Sequence, residues 1–116
     1  MAAEKNFENR VKAFLKEQDC YIIKDWGGGA FTKSGVPDLL VCCNGYFVGV
    51  ELKGPKGKPS PLQIHNLGEI AAAGGYPVLL YPDKYEEFQH FIRLLRRSLD
   101  DNDFNAANDY FMEHFE

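Results

Sequence analysis

Apolar positions along the chain recur with two periods. In "EKNFENRVKAFLKEQ", Phe7, Val11, Phe14 and Leu15 fall three and four residues apart with Lys and Glu between them. That spacing predicts an amphipathic helix with one core-facing stripe. "CYIIKDW" reads as a strand, and "PDLLVCCN" and "YFVGVELK" read as two more, separated by Asn44-Gly45. Asn-Gly favours the two-residue turn that needs positive φ at both central positions, so these strands should form a hairpin. Further on, Ser60-Pro61-Leu62-Gln63 has the order of a helix start: an N-cap serine, a proline at the first helical position and a glutamine placed to close a capping box. The helix should run to about Ala73 and stop at Gly74-Gly75. "YPVLLYP" predicts a strand. From about Lys84, Phe88, Phe91, Ile92, Leu95 and Leu99 predict a helix, whose Arg93, Arg96 and Arg97 suit the negative end of its dipole. The last stretch carries Phe104, Tyr110, Phe111, Met112 and Phe115, too many aromatics for a solvated tail, and is expected to be a short helix that docks.

The hairpin raises a question of charge. If Cys43 pairs with Tyr46, Leu40 faces Gly49 and Asp38 lies opposite Glu51, with Lys53 pointing the same way two residues on. Two carboxylates facing each other in an apolar hairpin destabilise it unless a cation intervenes. Mg²⁺ or Mn²⁺, which take oxygen ligands, would resolve the conflict. The alternative is a surface hairpin in which Lys53 pairs with Glu51 while Asp38 caps a turn.

Composition narrows the class. A chain of 116 residues, 45% hydrophobic and 26% charged, has the size of one domain and no apolar run long enough for a membrane span. Its N-terminus has no apolar segment of secretory type, and a cytoplasmic location is expected, including the cytoplasm of a host cell for a viral or phage protein. Cys20, Cys42 and Cys43 fit neither a disulfide framework nor a zinc spacing and are expected to be small buried hydrophobes. The net charge of -4 is unevenly spread, because six acidic and no basic residues lie between Asp100 and Glu116. The net charge argues against a generic polyanion binder, but residues 1–99 are mildly basic, so DNA binding requires the acidic tail to lie away from it. "GGGAFTKSG" ends like a phosphate-cradling loop at Lys33-Ser34, but Thr32 stands where that motif requires glycine, so a mobile loop is expected and no nucleotide cofactor.

Pro37-Asp38, the hydrophobic hairpin and Glu51-Leu52-Lys53 together resemble the PD-(D/E)xK nuclease signature. Within that superfamily "SGVPDLLVCCNGYFVGVELKGPKGKPSPLQ", with the later "AAAGGYPVLLY", resembles the virus-type replication-repair nuclease (VRR-NUC) domain, over about residues 4–82. The resemblance implies a restriction-endonuclease-like α/β core of order α-β-β-β-α-β, here in residues 1–99, with residues 100–116 as a C-terminal helical extension. It implies metal-dependent cleavage of phosphodiester bonds. Asp38 and Glu51 would be metal ligands, with the backbone carbonyl of Leu52 as a further ligand, and Lys53 would orient the attacking water. Glu8 would match the acidic residue of the first helix, and Glu8, Val11 and Leu15 do share one helical stripe. Gln63 would contact the water or Lys53, or serve only as a cap. His65 has no counterpart and is expected at the surface.

Lys33, Ser34, Lys56 and Lys58 are suited to grip phosphates on either side of the scissile bond, contacts that position DNA without reading sequence. No segment resembles a base-reading helix or zinc finger, so selection by DNA shape is expected. The expected function is a structure-selective DNA endonuclease, a Holliday junction resolvase-like homodimer whose two-fold symmetry matches that of a junction. A flap or end nuclease, or a non-catalytic DNA-binding module or scaffold, are the alternatives.

Overall fold

A computed structural model of the chain describes residues 2–24, 34–98 and 101–116, with side chains from residue 5 onward and excluding those of 101–104. Helix α1 spans Ala2–Glu17 and turns Phe7, Val11, Phe14 and Leu15 into the core, the four residues of the helical stripe. Three antiparallel strands follow: β1 at Tyr21–Lys24, β2 at Leu39–Cys43 and β3 at Tyr46–Leu52. Asn44 and Gly45 take φ of 52° and 86° at the turn, and Cys43 pairs with Tyr46 in the register expected from it. The Asn44 side chain also donates to the carbonyls of Leu95 and Ser98 at 3.0 and 2.9 Å, tying the turn to the end of a later helix.

Helix α2, Pro61–Ala72, begins at a complete capping box: the Ser60 hydroxyl accepts from the Gln63 backbone N–H, and the Gln63 side chain accepts from that of Ser60. It crosses over to β4, Tyr76–Leu80, which lies parallel to β3, so the four-stranded mixed sheet has the order β1-β2-β3-β4. Pro82–Lys84 forms a single 3₁₀ turn, followed by α3, Tyr85–Arg96, and α4, Asp101–Phe115.

Period-two alternation divides the sheet between two layers. Leu39, Val41, Cys43, Val48, Val50, Tyr76, Val78 and Leu80 are buried in one core with residues of α1, α3 and α4. On the opposite face α2 packs over β3 and β4, with Ile70 against Gly49 so closely that a Cβ there would lie 2.6 Å from it. Toward β1, that face leaves Tyr21, Ile23 and Phe47 exposed. The same alternation corrects the expectation of three buried thiols: Cys43 is buried, Cys20 half-buried and Cys42 exposed.

The aromatic C-terminal segment packs on the body. Phe111 is 4% exposed, with ring centroids 4.8 Å from Tyr76 and 5.3 Å from Phe91, and Ala107 is fully buried. Removing that ring opens a cavity in the core, so Phe111→Ala should cost about 3 kcal/mol or more. The check is the urea midpoint at unchanged m-value; an unchanged midpoint would show that α4 adds nothing to the stability of the body.

Candidate active site

The turn geometry carries Asp38 and Glu51 to one end of the sheet, where β2 begins and β3 finishes. Glu51 lies within β3 and is 2% exposed, while Asp38 sits just before β2 begins. Asp38 is held by its own partner's strand: the Leu52 backbone N–H donates to Asp38 Oδ2 at 2.8 Å. The approach to Asp38 is fixed from α2, where buried Asn66 donates to the carbonyls of Ser34 and Leu62 at 3.1 and 2.9 Å. Gly35 passes this point at φ 83°, with its missing Cβ only 2.7 Å from the Leu62 carbonyl oxygen, so any side chain there would force the segment away.

Glu51 Oε2 accepts from Gln63 Nε2 at 2.9 Å and meets Lys53 Nζ at 3.1 Å. Lys53 Nζ also donates to Gln63 Oε1 at 3.0 Å. The two expectations for Gln63, cap and site residue, are met by one side chain: its oxygen closes the capping box and holds Lys53 while its nitrogen holds Glu51. Glu51 Oε1 is buried without a hydrogen-bond partner. Burial, and then the charge of Asp38, push the Glu51 carboxyl above the usual range against the opposing pull of Lys53. An ionised pair here needs a compensating cation, and without one the conflict is relieved by a proton.

Asp38, Glu51, Leu52, Lys53 and Gln63 line a cavity of about 610 Å³, whose other wall is α1 with Lys5, Glu8 and Arg10. Glu8 thus reaches the expected cavity, but its carboxylate is already engaged. Lys24 Nζ lies 2.9 Å from Oε1, and Lys12 and Lys5 lie 3.3 and 3.4 Å from Oε2. Burial works upward on this carboxyl, but the hydrogen bond and charge of Lys24, then Lys12 and Lys5, outweigh it and hold the group below the usual range. Among the described residues no three His, Cys, Asp or Glu side chains gather closely enough to hold a metal ion, so Glu8 does not join Asp38 and Glu51 in a three-carboxylate cluster. The reason is electrostatic: the lysines draw Glu8 toward α1 and β1.

Of the residues expected to grip phosphate, Ser34, Lys56 and Lys58 are not among the described residues that line the cavity. Lys56 and Lys58 are exposed on the loop after β3, which is anchored where the Tyr81 hydroxyl donates to the Gly57 carbonyl at 2.8 Å. Ser34 is exposed, its carbonyl taken by Asn66, and Lys33 lies outside the described residues. His65 is exposed and pairs with Glu69 along α2. Sequence reasoning missed Lys5, Arg10, Lys12, Lys24 and Asn66. Lys5 and Lys12 stand three and four residues from Glu8 and were legible as helix neighbours; Lys24 joins them only through the packing of β1 beside α1.

Comparison of the chain with protein-family models, with curated proteins and with solved structures returns no match. What stands is a mixed α/β sheet with four helices and a cavity at its end that combines two carboxylates, a lysine and a glutamine. Among the described residues no helix is long and apolar enough to cross a membrane.

Proposed function

We propose that the chain is a Mg²⁺- or Mn²⁺-dependent DNA endonuclease of the PD-(D/E)xK, VRR-NUC-like type, acting as a homodimer on branched DNA. The observation that carries this reading is Glu51: a buried carboxylate beside Asp38, with one oxygen unpartnered and the other held by Lys53 and Gln63. Lys53 sets one positive charge against the two carboxylates, which leaves room for a further counter-ion. Asp38, Glu51 and the Leu52 carbonyl would hold the divalent cation, which supplies charge neutralisation at the phosphate and lowers the pKa of a water molecule.

The protein's own groups then have separate tasks. The Leu52 N–H fixes Asp38 Oδ2 and so the direction of that carboxylate. Gln63 holds Glu51 and Lys53 in a single hydrogen-bonded unit braced by the start of α2. Lys53 offers its ammonium group to the attacking water and to the negative charge that grows on the phosphate in the transition state. The cavity lining carries three acidic side chains, Glu8, Asp38 and Glu51, and three basic ones, Lys5, Arg10 and Lys53.

The test is cleavage of a labelled four-way junction, a flap and a linear duplex, each with and without Mg²⁺. The expected result is metal-dependent cutting with the junction preferred. Light scattering should give twice the 13.2 kDa chain mass, and a supercoiled cruciform should be linearised by paired cuts. A preference for flaps or ends would move the reading to a processing nuclease. A monomer that nicks plain duplex equally well would defeat the resolvase part, and binding without cutting of any substrate would leave a non-catalytic module.

A further inference from the structure

Two carboxylates on opposite walls of the same cavity differ in their company. Among the described residues Glu51 has one ammonium neighbour, Lys53, and an oxygen without a hydrogen-bond partner. Glu8 has three ammonium groups within 3.4 Å and both oxygens engaged. Its side chain is 12% exposed, and those of Lys24 and Lys12 only 19% and 27%, so these pairs are partly shielded from solvent. A divalent cation bound to Glu8 would have to sit among those lysines and be repelled by each, whereas at Glu51 and Asp38 it would relieve a repulsion already present.

We infer that Glu8 is a positioning residue of an anion-binding wall rather than a metal ligand: it holds Lys5 on the α1 side of the cavity, where Lys5 and Arg10 of the lining receive the phosphates of the DNA strand, while Lys12 and Lys24 pair with Glu8 outside the lining. This rests on the nuclease reading of the Asp38–Glu51 site. Two elements supply the partners of Glu8. Lys5, Glu8 and Lys12 lie one helical turn apart on α1, and Lys24 closes the group from the end of β1. Arg10 is fixed beside them, its guanidinium 5.0 Å from the centre of the Tyr85 ring, while the Tyr85 hydroxyl donates to the Arg10 carbonyl at 3.2 Å. Among the described residues of the α1 lining, Lys5 and Arg10 set two positive charges against the one negative charge of Glu8. The cavity is then bipolar, with a carboxylate wall for a cation facing a cationic wall for a phosphate. That arrangement seats the strand with a flanking phosphate toward α1 and the scissile phosphate toward Lys53 and the Asp38–Glu51 site.

The experiment separates the two roles of Glu8 and does not depend on turnover alone. Calorimetric titration of the protein with Mn²⁺ should give the same affinity for Glu8→Gln as for the wild type, while Glu51→Gln loses it. Fluorescence anisotropy with a labelled duplex in EDTA should show a Lys5→Met, Arg10→Met double variant binding about tenfold more weakly at 0.1 M salt, with a shallower salt dependence. Lys5→Arg with Arg10 intact should keep most of the wild-type affinity. In cleavage, Glu8→Gln should raise KM with kcat within about threefold. Loss of Mn²⁺ binding in folded Glu8→Gln, or a fall in kcat at unchanged KM, would make Glu8 a metal ligand and overturn the inference. Unchanged DNA affinity and salt slope in the double variant would overturn it independently. Failure of the wild type to cut any DNA would strike the nuclease reading instead, and the anisotropy result would still decide the wall.

Discussion

Asp38→Asn and Glu51→Gln should each reduce metal-dependent cleavage by about a thousandfold or more, the scale of several kcal/mol of lost charge stabilisation in the transition state. Asparagine at position 38 can still accept from the Leu52 N–H, so the hairpin keeps its end and the loss falls on the charge. Glutamine at position 51 keeps the volume and an oxygen for Gln63 while removing the buried negative charge. Without metal, Glu51→Gln should therefore melt at or above the wild-type temperature, an unusual outcome for a buried site.

The pH dependence has a definite sign. Burial and Asp38 raise the Glu51 pKa in the folded state, so the folded protein holds that proton more tightly than the unfolded chain. Its contribution to stability is greatest below the ordinary glutamate value and declines as pH rises from there through the raised folded value. Thermal melts of the metal-free protein across that window should show the decline in the wild type and its absence in Glu51→Gln. Wild-type cleavage by either variant in Mg²⁺, or a Glu51→Gln protein markedly less stable without metal, would end the cation-site reading.

Lys53→Ala should lower kcat by about a hundred- to a thousandfold, as for loss of a single preorganised donor to a developing negative charge. The lysine touches Glu51 and Gln63 rather than standing among the cation's oxygen ligands, so Mn²⁺ should still bind. Removing it also takes a favourable charge from Glu51, and some tightening of metal binding would follow from the lost repulsion. Calorimetry and single-turnover cleavage on one preparation distinguish this from a structural lesion. A folded Lys53→Ala protein that no longer binds Mn²⁺, or that cuts at the wild-type rate, would contradict the assignment.

Some of this architecture was legible because it depends on neighbours in sequence. The α1 stripe follows from helical period, the Asn44-Gly45 turn sets the β2–β3 register, and Ser60 to Gln63 form a local capping box. Each is settled by residues within a few positions of one another, where propensity and steric restriction act without help. The meeting of Asp38 and Glu51 is of this kind, since a two-residue turn leaves one register open. The α/β class was expected from the resemblance of the Pro37-Asp38 to Lys53 pattern, and the structure has a four-stranded mixed sheet with helices among the described residues.

The ion pairs of Glu8 were not legible in this way. Its position on α1 was readable, but Lys24 reaches it from a strand 16 residues away, and only the docking of α1 against β1 makes the ion pair. The same holds for Lys56 and Lys58, which their place in the loop just past Lys53 put near the site and which are not among the residues lining the cavity. It holds too for Asn66, an ordinary helix residue until α2 packs beside Gly35. Sequence by itself determined the local elements, their register and the pair of facing carboxylates, because short-range geometry admits few solutions. Which charges share a cavity, and which carboxylate has an oxygen left over, was decided by the tertiary structure, since charges act through space and on groups whose solvation is set by what has packed around them.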